Sequence, residues 1–264
     1  MRPGTSWIIG IILALLLIIF LKGQHAPGTE SAQGFARLML FLPTLVFVIF
    51  VAVILYGRRF PDKGLAALHY QCDPEAAIAI FDKKLAEAKA REDNQAWQVY
   101  ASNLAVAYHA NNETDRAIRL LESLRPPTGD AVARTIHHGN LATMHWDKGD
   151  YDAFAQEKEQ SEAFLKLVNR DHAAYKTCAD QIARLDARAA ILAGDYTGAL
   201  THFQQQLQHI PMFNRYAKVT SLYMMAGIYH LMDNAAERDN CLQYVASHGN
   251  KLYIAKVACE QLAQ

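Results

Sequence analysis

Histidine is the first side chain to test for chemistry in this sequence. His137, His138 and His145 fall within nine residues of one another. Together with His109 they could in principle ligate a metal or build a hydrolytic centre on His109, His137 and His138. His138 and His145 are seven apart, which sets them on one face of a helix. No His-Glu-x-x-His pair accompanies them, and neither the G-x-S-x-G nucleophile turn nor the Gly-rich phosphate and dinucleotide loops occur. Buried imidazoles with local hydrogen bonds are the better account, so the expectation is a protein that is not an enzyme and holds no metal or cofactor. Arg184 and Arg188 lie one helical turn apart and could grip a carboxylate, although Asp180, four residues before Arg184, offers a competing surface pair. Cys72, Cys178, Cys241 and Cys259 have neither C-x-x-C nor zinc-finger spacing. Scattered thiols of this kind fit a reducing compartment, while their even number leaves disulfides open.

These residues must be positioned by something, and the sequence divides sharply in how it could do so. Trp7 to Leu21 is an uncharged run of fifteen residues, and Leu38 to Tyr56 one of nineteen that includes Pro43 and Thr44. A helix of roughly 20 residues crosses the hydrocarbon core. The second run meets that length, and the first approaches it with Thr5, Ser6 and a snorkelling Lys22. The short first run after Met1-Arg2 could also be a signal peptide, but Lys22-Gly23-Gln24-His25 lacks a small-x-small cleavage pattern. Residues 1–57 are therefore expected to be a membrane anchor, with transmembrane helices at about 5–22 and 37–57 and a loop at 23–36 on the outside. Arg58, Arg59 and Lys63 follow the second run, and Arg2 precedes the first. The positive-inside bias then places both termini in the cytoplasm of a two-span integral membrane protein.

Residues 58–61 form the tether. Five extended residues from Gly57 to Pro61 reach about 17 Å, so the following domain, 62–264, is expected to work close to the bilayer. The whole chain has 26 basic and 26 acidic residues. Setting aside Arg2, Lys22, Arg37 and Glu30 leaves 23 basic and 25 acidic residues, a net charge of −2. That balance lacks the basic excess needed to neutralise a phosphate backbone, which argues against nucleic acid as a partner.

Beyond Pro61, Ala, Leu, Glu, Gln and Lys recur at helical spacing and no stretch alternates with strand period. Breaks at 72–74, 91–94, 111–112, 125–130, 148–150, 169–171, 194–195, 210–211, 232–234 and 248–250 divide this part into about eleven helices. Three segments share a pattern. One holds Ala187, Gly194-Asp195-Tyr196, Ala199, Phe203 and Pro211; a second holds Asn103-Leu104-Ala105, Tyr108, Ala117, Leu121 and Pro127, with Asn112 at the usual Gly position. The third holds Asn140-Leu141-Ala142 and Gly149-Asp150-Tyr151, with Phe154 in place of a small residue. Weaker copies contain Ala77 and Phe81, and Ala226, Tyr229 and Leu242.

This pattern resembles the tetratricopeptide repeat, in which small residues sit where paired helices touch and large ones fill the gaps between pairs. The resemblance covers residues 62 to 264. It implies an α-solenoid of about five such hairpins with a terminal helix around Lys251 to Leu262 capping the open end, so that with the two transmembrane helices expected from the apolar runs the whole architecture is all-α. Ala77, Ala117, Phe154 and Ala199 are spaced 40, 37 and 45 residues apart, longer than the usual repeat of about 34, so extended helices and an irregular superhelix are expected.

In solenoids of this type the first helices line the inner face. By that register the candidate peptide-binding groove consists of Asn103, Val106, His109, Asn140, Thr143, Trp146, Arg184 and Arg188. The resemblance implies that Asn103 and Asn140, at equivalent positions, bond the backbone of an extended peptide. The alternative is that they pin neighbouring helices. Trp146 is either an aromatic anchor or packing for the next repeat. The chaperone carboxylate clamp of the family needs a cation where this chain has Asn140, so that activity does not carry over. The expected function is a membrane-anchored scaffold or adaptor for a protein partner, with its oligomeric state open. The rival is an assembly chaperone on the opposite side of the membrane.

Overall fold

The computed structural model describes residues 62–124, 129–211 and 214–263. The two apolar runs, the loop between them and the tether fall outside these residues. Among the described residues no helix is long and apolar enough to cross a membrane.

Eleven helices account for nearly all of the described chain: α1 Lys63–His69, α2 Pro74–Ala90, α3 Asn94–Ala110, α4 Thr114–Glu122, α5 Ala131–Lys148, α6 Tyr151–Leu165, α7 Tyr175–Leu192, α8 Tyr196–His209, α9 Arg215–Leu231, α10 Ala235–His248 and α11 Tyr253–Leu262. One turn design joins most of them. A residue with positive φ ends one helix, and the next residue begins the following helix. Glu92, Asn112, Gly149, Gly194 and Asp233 hold φ of 56°, 65°, 81°, 79° and 59°. In each case the amide of the next residue bonds to a carbonyl five positions back, as Asp150 does to His145 and Asp195 to Ala190, both at 2.9 Å. These are Schellman closures, which satisfy helix-end carbonyls that would otherwise lack donors.

The same next residue usually caps the new helix. The carboxylates of Asp73, Asp93, Asp130, Asp150 and Asp195 and the amide oxygens of Asn214 and Asn234 each accept a bond from the backbone N–H three residues on. This is the N-cap geometry that Asp and Asn favour. A sequence of αL residue followed by Asp or Asn therefore reverses the chain within two residues and forces neighbouring helices antiparallel. The junction between α6 and α7 departs from this rule. The expected break at 169–171 widens into a nine-residue connection, 166 to 174, shaped by Asn169 accepting from the Asp171 amide and His172 from the Ala174 amide.

Consecutive helices pack as hairpins, α1 with α2, α3 with α4, α5 with α6, α7 with α8 and α9 with α10, and α11 packs on α10 and α9. The repeat positions identified from sequence are buried: Ala77, Phe81, Leu104, Ala105, Tyr108, Ala117, Leu121, Leu141, Ala142, Ala187, Ala199, Phe203 and Leu242. Alanine at the helix crossings lets backbones approach, and Phe81 and Phe203 fill the space between. Phe154, which replaces a small residue, anchors a separate cluster with Ala142, Ile182 and Leu185.

The two ends of this domain meet. α1 touches α9, with His69 Nδ1 3.3 Å from Asn214 Oδ1 and its ring edge-on to Tyr216 at 5.6 Å. The turn before α11 also reaches the first hairpin: Asn250 Nδ2 donates to Gln71 O at 2.7 Å, Lys251 N to Cys72 O at 3.2 Å, and Lys251 Nζ pairs with Asp73 at 2.9 Å. The terminal helix thus does more than cap an open end, because the segment leading into it joins the last hairpin to the first.

Candidate binding face

Successive first helices are neighbours, α3 beside α5 and α5 beside α7, and α9 contacts α1. The faces they share form the inner surface, and the candidate residues divide there into three kinds. Some are structural. Val106 packs against the main core. Thr143 Oγ1 donates back to Gly139 O within its own helix. Asn140 Oδ1 accepts from Gln181 Nε2 of α7 at 3.0 Å, so the amide that was a candidate peptide contact pins α5 to α7. Gly139 makes room for this bond, since a Cβ there would lie 2.5 Å from the Gln181 side chain. Trp146 takes the packing role, lying against the Ala142, Phe154, Ile182 and Leu185 cluster.

A second kind remains available. Asn103 is half-buried, and Val99, one turn earlier on α3, is 52% exposed.

The third kind is an electrostatic cluster. His109 Nε2 lies 2.9 Å from the Asp147 carboxylate, and its Nδ1 lies 3.2 Å from Thr114 Oγ1. Burial pushes the Asp147 carboxyl up, but the bond from His109 and the positive charge of Arg188 more than offset that and leave it below its usual value. Asp147 is exposed, its side chain at 30%. Arg184 and Arg188 face the same region. Arg188 is 9% exposed, with its guanidinium 5.4 Å from the Trp146 ring. Burial and the charge of Arg188 pull the Arg184 guanidinium down to about 10. The i, i+4 contact with Asp180 acts only as a charge at longer range. Tyr216 of α9 is pushed up to about 12 by burial, with Asp147 reinforcing the shift. The cluster therefore draws on α3, α5, α7 and α9.

The sequence reading missed Asp147 and Tyr216 as parts of this surface. One signal was present: at the 37-residue spacing that relates Asn103 to Asn140, His109 corresponds to Trp146, and Asp147 is the next residue. Asp186 is exposed and pairs with Lys158 of α6 at 2.7 Å.

The remaining histidines are local. His138 Nδ1 is 2.7 Å from Glu157 and its ring stacks on Phe164. His137 is buried, and desolvation, with the neighbouring His138, lowers it to about 4. Among the described residues no three His, Cys, Asp or Glu side chains converge to hold a metal ion. The four cysteines are free thiols, three of them buried.

The α3–α4 hairpin at the edge of this cluster carries a match to a known family. Residues 101–129 match the tetratricopeptide repeat. The match runs from within α3, through the Asn112 turn and α4, to Gly129. The chain matches no curated protein. A tetratricopeptide repeat set in consecutive paired helices is a protein-interaction scaffold in its general character: each hairpin buries its apolar face on its neighbours, and the concave side is left to bind.

Proposed function

We propose that this protein is a membrane-anchored repeat scaffold that holds a segment of a partner protein against its inner face, with the two apolar runs as anchor and both termini in the cytoplasm. The observation that carries the binding reading is the inner surface itself. Polar and charged side chains from four of the first helices, His109, Asp147, Arg184, Arg188 and Tyr216, gather there while the apolar positions of the same helices are consumed in the core. The anchor reading rests on the length and apolarity of the two runs and on the short tether, and the orientation rests on the basic residues flanking them.

Co-purification of the full chain from mild detergent tests the scaffold, comparing the native protein with a Val99→Asp, Asn103→Ala double variant. Repeat register assigns both positions to the inner side of α3, and with Val99 exposed and Asn103 half-buried they are better probes than Asn140, which bonds Gln181, or Trp146, which packs on the Phe154 cluster. A specific partner recovered with the native form and lost with the variant, at equal helix content, supports the reading; equal recovery refutes it. Protease protection of a carboxy-terminal tag in sealed vesicles separates the cytoplasmic scaffold from the extracytoplasmic chaperone.

A further inference from the structure

The exposed apolar side chains of this domain fall into two electrostatic settings. Tyr151, Leu192, Leu231 and Met232 are exposed at the tips of three hairpins. Each of those tips also exposes carboxylates: Asp150 and Asp152 at the first, Asp195 at the second, Asp233 and Glu237 at the third. Leu167 differs. At 71% it is the most exposed large apolar side chain among the described residues. It stands in the connection between α6 and α7, among Lys166, Arg170 and Lys176, which are exposed and form no ion pair among the described residues. Residues 166–176 hold these three basic residues and one acid, Asp171, a net charge of +2 with histidine neutral. Neighbouring elements leave that excess standing. Glu162 of α6 is taken by Lys158. From α5, Asp130 lies close enough to α7 to act on Cys178, and its charge is matched by Arg134, whose guanidinium lies 5.0 Å from the Phe164 ring.

The connection is held in place. Val168 is buried beneath it. Leu167 N donates to Phe164 O and Val168 N to Leu165 O, both at 3.0 Å, and the side chains of Asn169 and His172 close the two turns that follow. A fixed backbone therefore presents Leu167 outward. An apolar tip among unpaired cations gains nothing from water, and it suits the boundary of an anionic bilayer.

We propose that the connection 166–174, with Leu167 at its tip, docks on an anionic lipid surface. The proposal rests on the anchored reading, since the apolar runs and the short tether are what bring this domain to a bilayer. Leu167 enters the acyl boundary while Lys166, Arg170 and Lys176 meet the headgroup phosphates. One leucine and three cations bind weakly by themselves, so the contact depends on the tether, which makes the encounter intramolecular. The apolar hairpin tips are excluded from the same role by their carboxylates, which an anionic surface repels.

Fluorescence of the full chain reconstituted in lipid vesicles tests the proposal. Leu167→Cys in a Cys259→Ser background carries an environment-sensitive fluorophore, the other three cysteines being buried. Leu192→Cys in the same background is the control, an exposed leucine beside Asp195. In phosphatidylcholine mixed with phosphatidylglycerol, the label at 167 is expected to shift to the blue and to be quenched by spin-labelled lipid, while the label at 192 stays aqueous. Phosphatidylcholine alone, or high salt with the mixed lipid, is expected to weaken the shift. Lys166→Glu with Arg170→Glu is expected to lower the ratio of docked to aqueous label by more than about tenfold, because each basic residue near an anionic surface contributes about fivefold. An aqueous label at 167 in the mixed vesicles overturns the proposal, as does an equal shift at 167 and 192 or an equal shift with and without the charge reversals. A label that is aqueous in pure lipid and shifts only in native membranes assigns the connection to a protein occupant, which also overturns it. Extraction with alkaline carbonate tests the anchor separately. A chain that resists extraction with an aqueous label refutes docking alone, and a chain released by carbonate refutes the anchor whatever the label reports.

Discussion

Acidification from pH 7 to pH 4 is expected to remove about 3 kcal/mol of stability through one residue, His137. The unfolded chain protonates this imidazole near 6.5, whereas burial and the adjacent His138, 5.1 Å away ring to ring, hold it neutral in the folded state down to about 4. Below 6.5 the unfolded chain therefore binds the proton that the folded chain refuses, and stability falls as pH falls until the folded pKa is reached. At about 1.4 kcal/mol per pH unit the interval from 6.5 to about 4 amounts to about 3 kcal/mol. That is a large share of the 5–15 kcal/mol typical of a folded domain. Burial also lowers His69 and His202, which act in the same direction. The lowered carboxylates Asp62, Asp73 and Asp147 lose their contribution only as pH drops below the ordinary 3.8, outside the window. Urea unfolding followed by far-UV ellipticity at pH 7, 5.5 and 4 measures the total, and His137→Met isolates the residue, since methionine fills the site without titrating. The native protein should lose about 3 kcal/mol more than the variant across this interval. Equal losses in the two proteins would refute the assignment of the pH sensitivity to His137.

Three further outcomes follow from packing. Phe203→Ala removes a fully buried ring between hairpins and should cost about 3–5 kcal/mol in urea unfolding. Gly139→Ala should destabilise by about 1 kcal/mol net, because displacing the Gln181 amide from Asn140 outweighs the better helix propensity of alanine; in a Gln181→Ala background the added cost of Gly139→Ala should vanish, and an additive double variant would exclude this contact as the cause. Lys251→Ala breaks solvent-exposed pairs with Asp73 and Glu75 and should leave stability nearly unchanged, with the two ends still joined through Asn250 and the Cys72 carbonyl, as amide exchange at position 251 would report.

Much of the fold was legible because the local signals agree with one another. Asp73, Asp93, Asp130, Asp150 and Asp195 each stand where a helix must begin, and apolar period and small residues at crossings point to the same hairpins. Gly149 and Gly194 announce their turns. Glu92 does not, since glutamate does not mark a left-handed backbone; only the following Asp93 betrays the turn. The long connection 166 to 174 was read short for a related reason: polar residues such as Asn169 and Asp171 mark where a break occurs but not how far the chain runs before Tyr175 restarts the helix.

The candidate site was less legible because its residues belong to two registers at once. Repeat register assigns Asn140 and Trp146 to the inner face, yet whether such a residue meets ligand or a neighbouring helix depends on the residue opposite, here Gln181 and the Phe154 cluster, which no periodicity specifies. The meeting of α1 with α9 lies further still beyond sequence. It arises from the rotation accumulated over hairpins spaced 40, 37 and 45 residues apart, and a small change in any of them would separate His69 from Asn214. The same closure sets Tyr216 edge-on to His69 at 5.6 Å and helps to bury it, which pushes its hydroxyl up to about 12. In an open row of the same helices Tyr216 would lose that neighbour and ionise nearer its ordinary value. The electrostatics of the inner face thus depend on how the repeats close, and repeat proteins with the same local motif but a different curvature need not share them.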